Sequence, residues 1–511
     1  MIKRLYLLAA MATTFSTSTL AAAPAVSFNN VPAVSFNKLW THAHATPGQL
    51  AEIPVFDRKT NTIWVAGVVG VDVLDADSGE LIEHIDVTPY GYINSVAIHN
   101  GLAAFALEAA GDRRTPGLVL FYDTRTRSLS RGINPIEVGT LPDMLTFTPD
   151  GKKLLVANEG TPNPMADMSY ELPDPAGSVS IIDVSARRVI ATAGFNGVAT
   201  AGNNLRSNTG MDFEPEYIAV NDDATHAFVT LQEANAIGVL DLNTNAFTRV
   251  IGLGAKDFRL PGNQIDPNDD GVISFISPAV KGLYMPDSIA SFDWRGKTYI
   301  AMANEGDFRE DDADRSAASK FGAVAPLQRL RVSSTDSSTG NLFAAGARSF
   351  SIRDTSGNLV YDSGSILDRE ASARGIYDDG RSRDKGVEPE GLALLDIGGR
   401  SFAFIGLERT TSAAVAVFDI TEPAKSRFID MIVTEGDVAP EGLAAYQHRG
   451  NFYLAIANEV SNTTSLYKLR AKDCDEDDGR GHDKYDKHDR HNHHHGKQDK
   501  LDRHDKKQGR R

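Results

Sequence analysis

The feature that most constrains how this chain can fold is a repeat. Residues Glu388–Arg409 read EPEGLALLDIGGRSFAFIGLER, and Pro440–Glu459 read PEGLAAYQHRGNFYLAIANE. Each copy is two β-rich runs joined by a short turn (Gly398-Gly399 and Arg449-Gly450), opening on an acidic step and closing on a Glu. Such short links between β-rich runs signal hairpins. Fainter copies extend through the chain. First runs open at Glu52, Asn94, Asp143, Glu216, Asp287, Glu390 and Glu441, and second runs close at Glu108, Glu159, Glu233, Glu305, Glu408 and Glu459. Third runs such as VDVLD (71–75), SVSIID (178–183) and AIGVLD (236–241) end on Asp. A unit repeated at tens of residues cannot bury its own apolar face and must stack on its neighbours. Helical periodicity is nearly absent. The pattern predicts an all-β protein, a seven-bladed β-propeller of four-stranded units. The last copy has only three strands, ending at TSLYKL (464–469), while an unpartnered run, SFNKLWTH (35–42), precedes the first. Pairing the two would close the ring and remove both open edges.

The ends differ from the body. Residues 1–23 have the form of a signal peptide: basic Lys3-Arg4, an apolar run Leu5–Thr14, and small residues Ala21–Ala23 for cleavage. Residues 24–38 form a linker carrying PAVSFN twice, and the propeller occupies 39–470. Residues 471–511 are rich in His, Asp, Lys and Arg with almost no apolar side chain, a composition that predicts disorder. The sole cysteine, Cys474, lies there, so no disulfide can form within the chain. No apolar run in the mature protein is long enough to span a bilayer. A secreted or periplasmic monomer is expected. The net charge of −16 argues against nucleic acid and anionic membranes as partners. A protein, glycan or small-molecule ligand is the expected partner. Three insertions break the repeat, at 161–177, 255–284 and 308–385, and long loops on a rigid scaffold are where function concentrates.

In an antiparallel hairpin the start of the first strand and the end of the second share one edge. The opening and closing acids should therefore gather at one mouth of the central channel. Like charges held so close raise one another's pKa and need compensation. They can accept backbone hydrogen bonds as architectural clips, or hold a divalent cation such as Ca²⁺; Glu216, Asp287, Glu390 and Glu441 are the candidate ligands. A second candidate is DPNDDGVI, in which Asp266, Asn268 and Asp270 match positions 1, 3 and 5 of a calcium loop. Position 12 is Ser277 rather than Glu, so an ordinary Asp/Gly turn remains open. The acidic run Asp307, Glu310, Asp311, Asp312 and Asp314 either adds ligands to the mouth or is a solvated loop. The tail histidines could take a transition metal. The six histidines outside the tail are scattered and suggest no triad, and His448, at a turn, is expected to be exposed. No G-x-S-x-G or H-E-x-x-H motif occurs.

Three blocks, PDMLTFTPDGKKLLVANEGTP (142–162), PDSIASFDWRGKTYIAMANEGDFRE (286–310) and GVEPEGLALLDIGGRSFAFIGLERTTSAAVAVFDITEP (386–423), resemble the choice-of-anchor I family. That family includes proteins labelled mesenchyme-specific cell-surface glycoprotein and some labelled alkaline phosphatase. The resemblance implies an exported YVTN/WD40-like propeller with a variable C-terminal anchor. This chain departs there, with a charged tail and no apolar anchor. No catalytic residues are implied. The main expectation is a cation-binding surface-interaction module. The alternatives are a metal-dependent phosphoesterase using Glu159, Glu305, Asp307, Glu408 and Arg409, with Arg409 on the phosphate, and a metal scavenger acting through the tail.

Overall fold

The computed structural model describes residues 34–471 except 133, 163–172, 208–212 and 309–313. The expected signal peptide, most of the expected linker, the His-rich tail and Glu310–Asp312 lie outside the described residues.

Seven sheets repeat one plan: four antiparallel strands in meander order, the first strand at one edge, with a fifth strand added in sheets 2 and 4, that of sheet 4 (Ala199–Asn203) running parallel to its neighbour. Sheet 1 is Ile53–Asp57, Thr62–Gly67, Gly70–Asp75 and Leu81–Asp86. Sheets 2, 3 and 4 begin with Tyr92–His99, Pro142–Phe147 and Pro215–Val220. Sheets 5 and 6 begin with Ile289–Trp294 and Pro389–Ile397. Sheet 7 is Pro440–His448, Asn451–Asn458 and Thr463–Ala471, completed by the N-terminal strand Val34–Ala43. Residues 34–38, expected in the linker, belong instead to that strand, held there by its pairing with Thr463–Ala471. It pairs antiparallel with Thr463–Ala471 from Val34↔Ala471 to Ala43↔Thr463. The first strands of successive sheets touch in one closed cycle, the seventh meeting the first. The fold is thus an all-β, propeller-like ring of sheets around an axis.

The core lies between the sheets. The second and third strands are buried nearly end to end, as TIWVAG (62–67) and AAVAVFD (413–419) are. A strand covered on both faces reads as a continuous apolar run rather than an alternating one. Trp64, Phe105, Phe350 and Phe404 are among the largest fully buried side chains. At a rough 25 cal/mol per Å² of buried apolar surface, these inter-sheet layers are the main stabilising term, since no disulfide contributes.

The insertions fold onto this ring. Residues 255–344 contribute a three-stranded sheet of Ala255–Asp257, Val280–Leu283 and Leu342–Ala344, and a two-stranded one of Arg315–Ala317 and Arg331–Ser333. Sheet 5 takes its outer strands, Ser349–Asp354 and Leu359–Asp362, from within the third insertion. An eight-residue helix, Ile366–Ala373, follows. Fully buried Arg206 ties the insertion to the ring, donating to Asp336 at 2.9 Å, to Asp314 at 3.1 Å and to the Glu233 carbonyl at 2.7 Å.

Candidate functional site: an acidic channel

The openings of the first strands are not regular. Strand register shifts between Ile93 and Ser95, Pro142 and Met144, Pro215 and Ile218, Pro389 and Leu392, and Pro440 and Leu443. Asn94, Asp143, Glu216, Glu390 and Glu441 sit in those irregularities, and Glu52 and Asp287 lie just before their strands. A bulge bends a strand and re-aims a side chain. In four copies the residue before the proline is left-handed: Leu141 (φ 45°), Met285 (φ 45°), Glu388 (φ 51°) and Ala439 (φ 60°). The Met285 carbonyl accepts the backbone N–H of Gly306 at 3.0 Å, and in the other three the carbonyl accepts that of the closing Glu, from Glu159 at 2.9 Å, Glu408 at 3.0 Å and Glu459 at 2.8 Å. An L-residue held there is strained, which the fold tolerates because the contact locks the opening and closing acids of one hairpin together.

The seven opening residues, with Glu159, line one cavity of about 240 Å³ on the ring axis. Glu216 Oε2, Glu390 Oε2 and Glu233 Oε2 are buried without a hydrogen-bond partner. Glu233, Glu305 and Glu408 are 6–8% exposed. Burial, followed by mutual repulsion, pushes these carboxyls up. Glu52 rises to about 8, chiefly through burial, with Glu459 its main repelling charge. Asp143 rises to about 8, with Glu159 the main repelling neighbour. Glu408 also rises to about 8, beside Glu305. Glu216, Asp287, Glu390 and Glu441 lie well above the ordinary carboxylate range for the same two reasons. Asp287, Glu305 and Glu390 each bring an oxygen within 4.8 Å of the others, as do Glu305, Glu388 and Glu408.

The third insertion reaches into this site with cations that the repeat pattern did not signal. Lys385 is buried, its Nζ 2.6 Å from Glu305, 2.9 Å from Glu388 and 3.6 Å from Asp307. Burial alone would lower its pKa, but Glu305, Asp307 and Glu388 outweigh that and raise it well above the usual value. Arg381 Nε donates to Glu388 at 2.6 Å, and Gln232 donates to Glu305 at 2.9 Å. Arg409 pairs with Glu408 at 2.7 Å. Asp307 pairs with Arg315, and Thr161 donates to Glu159.

The Asp266 loop stands apart from the channel. Asp266 accepts backbone N–H groups of Asn268 (3.2 Å) and Ser274 (3.0 Å), and Asp270 accepts that of Val272 (3.0 Å). The Asn268 amide donates to Asp270 at 2.7 Å. These groups serve the loop's own backbone, as Asx turns do.

Two histidine expectations fail: His448 is not exposed, and three histidines outside the tail do cluster. His448 is half-buried and packs edge-on against Phe56 at 5.1 Å. His44 and His84, far apart in the chain, both clamp Asp72 through Nδ1 at 2.6 Å, one on each oxygen. Burial opposes ionisation of Asp72, but these two bonds outweigh it and hold its pKa below the usual value. His44 Nε2 also meets Thr464 Oγ1 at 2.8 Å, and His42 stacks edge-on against His44 at 4.9 Å. The cluster joins the N-terminal strand, sheet 7 and sheet 1. Only tertiary pairing brings it together, and nothing in the local sequence signals it.

Among the described residues no helix is long and apolar enough to cross a membrane. No curated protein matches the chain in sequence. Solved structures with similar chains include the Kuenenia stuttgartiensis hydrazine synthase, at 12% identity and TM-score 0.49 over 84% of this chain and 98% of that one. A chain of a mitotic checkpoint complex aligns at 11% identity and TM-score 0.49 over 91% and 100%. A family model, that of the choice-of-anchor I domain, matches residues 52–423. The chain belongs to the choice-of-anchor I family.

Proposed function

We propose that this protein is an exported seven-bladed β-propeller acting as a surface-interaction module, with a divalent cation held in its acidic channel. The supporting observation is the set of orphaned carboxylate oxygens, Glu216 Oε2, Glu233 Oε2 and Glu390 Oε2, in and beside a cavity ringed by acids. Buried acceptors without donors are costly unless protonated or bound to a cation. A ring of hard oxygens in a fixed frame suits Ca²⁺ better than softer metals. The candidate ligands are Glu216, Asp287, Glu390 and Glu441. The binding reading is favoured over a phosphoesterase because Lys385 sits among Glu305, Glu388 and Asp307, where a second metal would be needed.

The test is thermal unfolding of the full chain with and without Ca²⁺, beside a Glu216→Gln/Glu390→Gln double variant. The double variant leaves the tail unchanged, so a shift that disappears with it reports on the channel. Ca²⁺ should raise the wild-type Tm and leave the variant unmoved. A wild-type Tm indifferent to Ca²⁺, Mg²⁺ and Mn²⁺ would show that the acids are held protonated instead.

A further inference from the structure

A second cavity of about 230 Å³ lies on the two-stranded sheet of the insertion, lined by Arg315, Ser316, Ala317, Arg329, Arg331 and Arg383. Four guanidinium groups facing one hollow are unexpected in a chain of net charge −16. They repel one another, and their neutralisation is incomplete. Asp269 serves both Arg329 (2.8 Å) and Arg383 (3.1 Å). Asp307 pairs with Arg315 but also faces Lys385 at 3.6 Å. Asp384 lies 3.9 Å from Arg331 and 3.8 Å from Arg381. Each counter-ion is therefore divided between two cations. Among the described residues the Arg331 guanidinium makes no hydrogen bond. Lys320 adds a further positive charge, donating to Ser316 Oγ at 3.1 Å.

The groups are also held in place. Arg315 and Arg331 lie on paired strands, with Ala317 opposite Arg331 and Arg315 opposite Ser333. The Arg331 N–H donates to the Arg383 carbonyl at 2.8 Å, which fixes the loop bearing Arg383. Asp269 braces two of the forks from one side. Guanidinium forks fixed in this way match the oxygens of phosphate or sulfate, and the arginine lining of the hollow supplies hydrogen-bond donors.

We propose that this cavity is a binding site for a tetrahedral oxyanion, phosphate or sulfate, free or as the ester group of a small molecule. Arg331 and Arg383 are its principal donors. The reading is independent of the cation in the channel.

Isothermal titration of the full chain with inorganic phosphate at low ionic strength tests it. One saturable site is expected, displaced by inorganic sulfate. Arg331→Gln should weaken it by about tenfold or more, the scale of one charge-assisted hydrogen bond, and Arg383→Gln similarly. Both side chains are partly exposed, so an unchanged Tm in each variant will show that the fold is intact. Phenyl phosphate binding as tightly as phosphate would mark an ester-binding site, and weaker binding a site for the free ion. The proposal is overturned if the wild type shows no saturable binding at millimolar phosphate. It is equally overturned if both Gln variants bind as the wild type does, which would place the anion on the basic tail or elsewhere.

Discussion

Lys385 is the residue on which the inner charge balance turns. It stands 2.6 Å from Glu305 and 2.9 Å from Glu388, both buried. Replacing it with Met leaves those carboxylates without their cation. Removal of one partner from a buried ion cluster costs on the order of 3–5 kcal/mol. The loss should be smaller at pH 5, where Glu305 can take up a proton, than at pH 8. Urea unfolding of Lys385→Met at the two pH values measures the difference, and an equal loss at both would contradict this account. The acids that line the channel act in the opposite sense. In cation-free buffer at pH 8, Glu390→Gln should stabilise the protein, because the amide stays uncharged without taking up a proton in a site with no partner for Glu390 Oε2.

At the scale of the element, the strand openings decide the geometry. Gly442 lets sheet 7 meet sheet 1: its N–H donates to the Glu52 carbonyl at 3.0 Å, and a Cβ added there would lie 2.2 Å from that oxygen. A Cβ added at Gly391 would likewise lie 1.9 Å from the Glu441 carbonyl oxygen. Gly442→Ala should therefore destabilise by about 1–3 kcal/mol through overpacking against backbone. A midpoint shift in urea with an unchanged slope would show it. The hairpins themselves were legible from alternating and continuous apolar runs such as LLVANE (154–159), because their pattern is local. The bulges were not. A Pro-acid-Gly step reads as the start of a regular strand, and only the register against the partner strand reveals the shift that turns Glu390 or Glu441 inward. Lys385 and Arg381 were missed for a related reason. They belong to an insertion with no repeat, so nothing in the chain ties them to Glu305 and Glu388 before folding does.

For the whole molecule, the channel makes stability depend on pH. Glu52 and Glu408 have folded pKa values of about 8, against an ordinary value of 4.5. The folded state thus binds more protons than the unfolded one between those limits. Stability contributed by the protonated acids is fully present below pH 4.5 and is lost as pH rises through about 8. In the presence of a chelator, Tm should fall from pH 5 to pH 8. Ca²⁺ should flatten that slope, since a bound cation replaces the protons. A chelated protein equally stable at both pH values would count against a cluster of raised carboxyls.

The N-terminal strand that completes sheet 7 has a kinetic consequence. Val34–Ala43 is the first described strand to leave the ribosome, and its partner Thr463–Ala471 is the last. The bond from His44 to Thr464 spans 420 residues of sequence. Sheets 1 to 6 can form in order as the chain emerges, each hairpin a local contact. Ring closure must wait until Thr463–Ala471 has been made, and contacts of such long range form slowly. Until then Val34–Ala43 waits without its partner strand, an open template. The slowest refolding phase should therefore report on this one seam, and a Trp40 fluorescence change, from a side chain that donates at 3.1 Å to the carbonyl of Ala76, in the turn between the third and fourth strands of sheet 1, is positioned to time it.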